Sequence, residues 1–253
     1  MTGQINKILV LTFFFLVSLW PTLTNGQQVI LNGQEPAYKN KKLEFYKYND
    51  WVTQETQSLV NTTVDEKGNF SCSFNISHTQ KIFINLGVYN AYLFVEPGKE
   101  YNLAFPELKE KSKAQKLNPY FEGIPYHIGI KNTNDSSLNY QLYNLLKEYK
   151  RTINGNLSRI YASPVILDSL ITYLDTLFQF DHPFFKTYKS YKLGGMRILY
   201  KNNPESIKKQ LFNDNNLHHF NPAFMELFNK LFENYFSDYY SSYGGNIYKV
   251  INY

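Results

Sequence analysis

The stretch AYLFVEPGKEYNLAFP (91–106) sets two apolar runs on either side of a Pro-Gly pair, with Glu96 before the pair and Glu100 after it. Two readings compete: an acid pair poised over a turn, or a corner of a β-sheet. Pro97 occupies the second position of a four-residue turn and Gly98 the third, the type II pattern, which needs a positive φ at its third residue. Leu93 and Leu103 fall on the flanking runs. The expectation is a hairpin, the last of a β region, with both glutamates at its exposed tip. Nothing there would desolvate a carboxylate and tune its pKa, so no catalytic pair is expected.

Working outward, the chain from 28 to 105 reads as β throughout. QVILNG, KKLEFYKYN, TQSLVNTTV, NFSCSFNI, QKIFINLGVY, AYLFVE and KEYNLAF are short runs with period-2 character or β-branched and aromatic enrichment. Turn signals divide them. DEKGN (65–69) places Gly68 where a hairpin needs positive φ. In NFSCSFNI, Phe70, Cys72, Phe74 and Ile76 share one face, and Ser71, Ser73 and Asn75 the other. About seven closely spaced strands predict an antiparallel β-sandwich over 27–106.

Residues 107–135 read as a linker, charged and Pro-bounded in PELKEKSKAQKLNP and rich in Gly and Pro beyond it. From Ser136 the period becomes helical, and an all-helical domain is expected over 136–240. Leu138, Leu142, Leu145, Leu146 and Tyr149 make the first stripe. A second helix opens at Ser163-Pro164 and carries Leu167, Leu170, Ile171, Leu174, Leu177 and Phe178. Ser is a good cap, and Pro at the first helical position loses no needed N–H. A third helix spans 183–200, interrupted weakly by Gly194-Gly195. NPESIKKQLF opens a fourth at Asn203, and NPAFMELFNKLF a fifth at Asn221. The fold class is thus α+β, with a 241–253 tail that reads as truncated.

The first 26 residues read as a signal peptide. Lys7 precedes an apolar run over 8–20, too short for a relaxed membrane span of about 20 residues. Pro21 breaks the run, and Thr24 and Gly26 supply small residues before a cut at Gln27. The only cysteine, Cys72, lies far from this segment, so no lipobox exists. The expectation is a periplasmic or secreted protein with no transmembrane span after signal removal. A net charge of +5 spread along the chain, without aromatic interleaving of the lysine clusters, argues against nucleic acid. A single cysteine permits no internal disulfide. The 22 Tyr and 20 Phe suit half-buried positions, where the ring packs and a hydroxyl stays wet.

No residue is assigned to catalysis, to a cofactor or to a metal. Cys72, flanked by Phe70 and Phe74 on an apolar face, reads as a small core hydrophobe with a raised pKa. His218-His219 lacks the neighbouring ligands of a zinc site and reads as a loop before the Asn221 cap. His182 reads as a helix start. Asp168 and Asp175, seven apart, read as the wet face of the second helix. Five N-x-S/T triplets, at Asn61, Asn69, Asn75, Asn134 and Asn156, matter only in a glycosylating host.

The β half resembles the N-terminal β-module of exported Bacteroidetes proteins of the TlpA-like, thioredoxin-like family. The matching residues are Asp65, Gly68 and Phe70, then Leu93, Pro97, Gly98 and Leu103. KLNPYF (116–121) and NPAFMELFNKLF (221–232) are similar to the helical segment that follows. In that family a thioredoxin domain comes next; here no residue matches its active site. The resemblance implies a non-catalytic exported scaffold or partner-binding protein, a truncated or stand-alone N-terminal part, with a protein partner in the envelope. The alternative is a small-molecule or glycan binder that uses exposed aromatics.

Overall fold

The computed structural model describes residues 26–197, 209 and 218–233. But for residues 26 and 209, the expected signal peptide, the fourth helix and the 241–253 tail lie outside the described residues.

All seven β runs form strands: β1 (Gln27–Gln34), β2 (Lys42–Tyr48), β3 (Thr56–Thr63), β4 (Asn69–Ile76), β5 (Gln80–Leu86), β6 (Tyr89–Val95) and β7 (Glu100–Ala104). The stretch read as a linker holds more order than its composition suggests. It carries α1 (Lys113–Leu117), β8 (Ile124–His127) and β9 (Gly129–Ile130). Ser112 caps α1 through a full capping box with Gln115. Beyond it come α2 (Leu138–Ala162), α3 (Pro164–Leu177), α4 (Pro183–Met196) and α5 (Pro222–Phe232).

The strands build two mixed sheets, ordered β4-β1-β7-β9 and β3-β2-β5-β6-β8. The purely antiparallel expectation fails at two places: β7 runs parallel to β1, and β8 parallel to β6. The reason lies in the turns. Gly98 has the positive φ of 75° that the Pro-Gly turn requires, but the turn does not close a hairpin. It carries the chain from β6 in the five-stranded sheet to β7 in the four-stranded one. Type II turns splay the strands they join, whereas hairpins use the primed types. The turn at Gly68, φ 87°, likewise passes from β3 in one sheet to β4 in the other. The hairpins are β2–β3 and β5–β6. Only the second is tight, with Gly87 at φ 60° opening a two-residue loop.

Period-2 alternation then divides β6 between two cores. Ala91, Leu93 and Val95 join a cluster with Val29, Leu31 and Leu103 from the other sheet. Tyr92 and Phe94 join a second cluster, built with the helices. Burial on both faces explains why YNAYLFV is apolar almost throughout. The helical stripes supply the rest of the second core. Leu142, Leu145, Leu167 and Leu174 are fully buried, while Leu177 is exposed. Ser163 makes no side-chain cap; its extended backbone instead separates α2 from α3. Asn221 caps as expected, accepting a 3.0 Å bond from the Ala223 N–H.

Candidate functional site

The outer face of the five-stranded sheet and the helices do not close on each other completely. They leave a cleft of about 740 Å³. Its sheet side holds Lys81 on β5, Tyr92 on β6 and His127 on β8; its helix side holds Tyr149 on α2, Lys192 on α4 and Glu226 on α5. Strand alternation positions Lys81. Ile82 and Ile84 point into the first core, so Lys81 must point the other way. That direction is ordinarily solvent, but here the helical layer roofs it.

The two interior lysines are treated differently. Lys192 Nζ lies 2.5 Å from Glu226 Oε2 and 5.2 Å from the Tyr149 ring centre. Burial pushes the Glu226 carboxyl up, but Lys192 and Lys230 outweigh it, and the net shift is downward. Glu226 is therefore the anion paired with Lys192. Lys81 Nζ stands 4.3 Å over the Tyr92 ring and, among the described residues, has neither an ion pair nor a hydrogen-bond acceptor. Burial drives its pKa down to about 8; Glu226 pulls it back up, and Lys192 adds to the depression. Lys189 shows what a purely structural lysine looks like in this fold. It is buried too, yet its Nζ reaches Asp175 Oδ1 at 2.6 Å and the Phe178 carbonyl at 2.9 Å.

Aromatic rings make up most of the remaining lining. His127 sits edge-on to Tyr92 at 5.4 Å and beside Tyr143 at 5.4 Å. Its buried Nε2 has no partner among the described residues. Burial holds His127 neutral, with a pKa near 4; a backbone hydrogen bond to Ile128 opposes this and Lys81 reinforces it. Trp51 also lines the cleft, and the exposed Lys147 and Lys150 of α2 stand at its rim. Four lysines against one glutamate make the cleft cationic. Such a site attracts carboxylate or phosphate, and the rings offer a stacking surface.

Desolvation of Lys81 yields a stability prediction. Folding depresses its pKa below the unfolded value of about 10.4. The cost of burying the ammonium is therefore fully present below pH 8 and fades as pH rises toward 10. Lys81→Met is expected to stabilise the protein at pH 7, by on the order of 1 kcal/mol once solvent screening is discounted. The gain should shrink by pH 10. Chemical denaturation at the two pH values checks this, and a constant gain would contradict it.

The residues weighed from sequence lie elsewhere. Cys72 packs against the first core, and burial raises its thiol to about 11. Glu100 is exposed and accepts from Asn32 Nδ2 at 2.7 Å. Glu96 is not at an exposed tip. Its Oε1 lies 3.2 Å from His182 Nε2, both side chains being mostly covered. The Tyr101 hydroxyl accepts from the Glu96 N–H at 2.9 Å. His182 does begin α4, but it also ties that helix to the inter-sheet turn. Asp168 and Asp175 are exposed, as expected of a wet face, although Asp175 anchors Lys189.

His218 packs on Tyr191 and Phe224, and His219 on Phe220. Together with His78 and His182, His218 lines a second hollow of about 480 Å³. Among the described residues, no group of three His, Cys, Asp or Glu is placed to hold a metal. Also among them, no helix is long and apolar enough to cross a membrane. Lys81, His127, Lys192 and Glu226 escaped the sequence reading because each looks like an ordinary polar position of its element. Comparison with known families, with curated proteins and with solved structures finds no match.

Proposed function

We propose that this chain is a non-catalytic exported binding protein, and that its ligand is a small anionic molecule held in the cleft between sheet and helices. The two sheets, which share one apolar cluster, would stack as a β-sandwich that backs the site. The observation that carries the reading is Lys81 over Tyr92, unpaired among the described residues, in a cleft where lysines outnumber acids. A carboxylate or phosphate would supply the acceptor that Lys81 lacks, and a sugar or aromatic ring would stack on Tyr149 or Tyr92. Sugar acids and sugar phosphates meet both requirements. Scaffolding of a protein partner rests on the lack of any catalytic constellation together with the modular resemblance; the cleft adds a specific feature and favours a small ligand.

Trp51 lines the cleft, and the chain's other tryptophan is Trp20. In a Trp20→Phe background, fluorescence therefore reports on the site alone. Titration with uronic acids and hexose phosphates is expected to give saturable quenching, weakened at least about tenfold by Lys81→Met, since charge-assisted hydrogen bonds are worth about 1.5–3 kcal/mol. Added salt should weaken it further. Flat titrations across the panel would overturn the proposal, and equal binding of neutral sugars would remove its anionic part.

A further inference from the structure

The proposed anion site leaves one property of Lys81 unused. Anion binding uses the charged form of Lys81, which prevails at pH 7; the free amine in exchange with it is left over. Lys81 is placed as a nucleophile. Its amine stands in a cleft large enough for a substrate, with no carboxylate or carbonyl to hold its proton among the described residues. Glu226, the cleft's one acid, is engaged by Lys192 at 2.5 Å. A fixed cation next to a desolvated amine is the arrangement that activates a lysine for attack on carbonyl carbon.

We propose that Lys81 captures anionic carbonyl compounds, aldehydes or α-keto acids, as a reversible imine. The inference rests on the reading of the cleft as the ligand site. The neutral Lys81 nitrogen gives its lone pair to the carbonyl carbon, and the carbonyl π bond shifts to oxygen. Proton transfer from nitrogen to oxygen gives a carbinolamine. Its hydroxyl leaves as water after gaining a second proton from solvent, and a C=N bond forms as the nitrogen lone pair moves in. Nothing is oxidised or reduced, and hydrolysis reverses every step. Once Lys81 is committed to the imine, the ligand's carboxylate or phosphate would turn to Lys192, Lys147 and Lys150. The groups facing Lys81 set its protonation. The Tyr92 face, 4.3 Å away, favours the ammonium, but burial and Lys192 of α4 outweigh it and favour the free amine. Glu226 of α5 opposes them, and His127 of β8 is neutral above about pH 5. With a pKa of about 8, roughly a tenth of Lys81 is free amine at pH 7, against well under about 0.1% for an ordinary lysine.

The full-length protein is incubated with substoichiometric pyridoxal 5′-phosphate, an aldehyde bearing a phosphate. Borohydride then fixes any imine, and peptide mass spectrometry locates it. Lys81 is expected to be labelled at least tenfold faster at pH 7 than the exposed Lys39, Lys67 and Lys99. Its rate should level off above about pH 8 while theirs keep rising. Lys81→Arg, checked by circular dichroism to be folded, should lose the fast label. Labelling of Lys81 no faster than those surface lysines, or fast labelling that survives Lys81→Arg, overturns the proposal. A parallel run with propionaldehyde and cyanoborohydride separates the two readings. If Lys81 still leads there, while phosphate gives no advantage, the nucleophile stands and the anion site falls. If Lys81 leads with neither reagent, the nucleophile falls, whatever the titrations with uronic acids show.

Discussion

Gly87→Ala is expected to destabilise the protein by about 2–5 kcal/mol, through the tightest contact an added Cβ would meet at any of the glycines compared among the described residues. Two costs combine. Gly87 has φ 60°, a left-handed conformation that costs an L-residue with a Cβ about 1–2 kcal/mol. An added Cβ would also lie 2.0 Å from the carbonyl oxygen of Lys109. That oxygen cannot move aside cheaply, because it accepts a 2.9 Å hydrogen bond from the Val88 N–H. Forcing such a contact typically costs a further 1–3 kcal/mol or so. Gly98→Ala provides the comparison. There φ is 75°, but the added Cβ would meet only the Gln27 side-chain oxygen, at 2.8 Å. An exposed glutamine can swing away, so only the backbone cost of about 1–2 kcal/mol is expected. Urea midpoints for the two variants test the contrast. Equal shifts would show that the β5–β6 tip can yield.

Asn139→Ala should cost about 2–4 kcal/mol, by a different route. Asn139 is buried on the first turn of α2. Its Oδ1 accepts from the Phe94 N–H at 2.9 Å, and its Nδ2 donates to the Phe94 carbonyl at 2.7 Å. The side chain thus acts as one residue of a missing strand. β8 pairs with β6 only from Tyr89 to Tyr92, so Phe94 lies beyond the reach of that ladder. Alanine leaves a donor and an acceptor unsatisfied beside the second core, each worth about 1–3 kcal/mol when buried. Asn139→Asp gives the finer test. Its carboxylate can still accept from the N–H but faces the Phe94 carbonyl with no donor, so it should not restore stability. A denaturation midpoint within error of the parent for either variant would show that water replaces the amide. Because Asn139 fixes α2 on the sheet, and α2 carries Tyr149 of the cleft, Asn139→Ala should also blunt Trp51 quenching by any ligand.

The β half was legible because its signals are local. Each of the seven runs carries its own alternation and its own bounding turn residues, and Gly68 and Gly98 take the positive φ their turns demand. Which sheet each strand joins was not legible. A turn read as a hairpin and a turn that crosses between sheets share the same glycine. Only the mismatch between a type II turn and hairpin twist separates them. The four-residue β8 and two-residue β9 have too few positions for a period to show.

The cleft was the least legible feature. Lys81 occupies a polar step in QKIFINL, and its alternation is that of a strand with one wet face. The helices that cover that face begin more than fifty residues later, at Leu138. Glu96 was misplaced for the same reason, since its partner His182 lies on α4.

The sequence by itself determined the first seven strands, the glycine turns, the helix starts near Ser136 and at Pro164, His182 and Asn221, and the place of Cys72 against the core, all properties of short windows of chain. The tertiary structure alone decided that AYLFVEPGKEYNLAFP joins two sheets, that Glu96 meets a histidine, and that Lys81 lies under a roof of helices without a partner among the described residues. Backbone preference and periodicity act over a few residues, whereas desolvation and charge pairing depend on what other elements bring near.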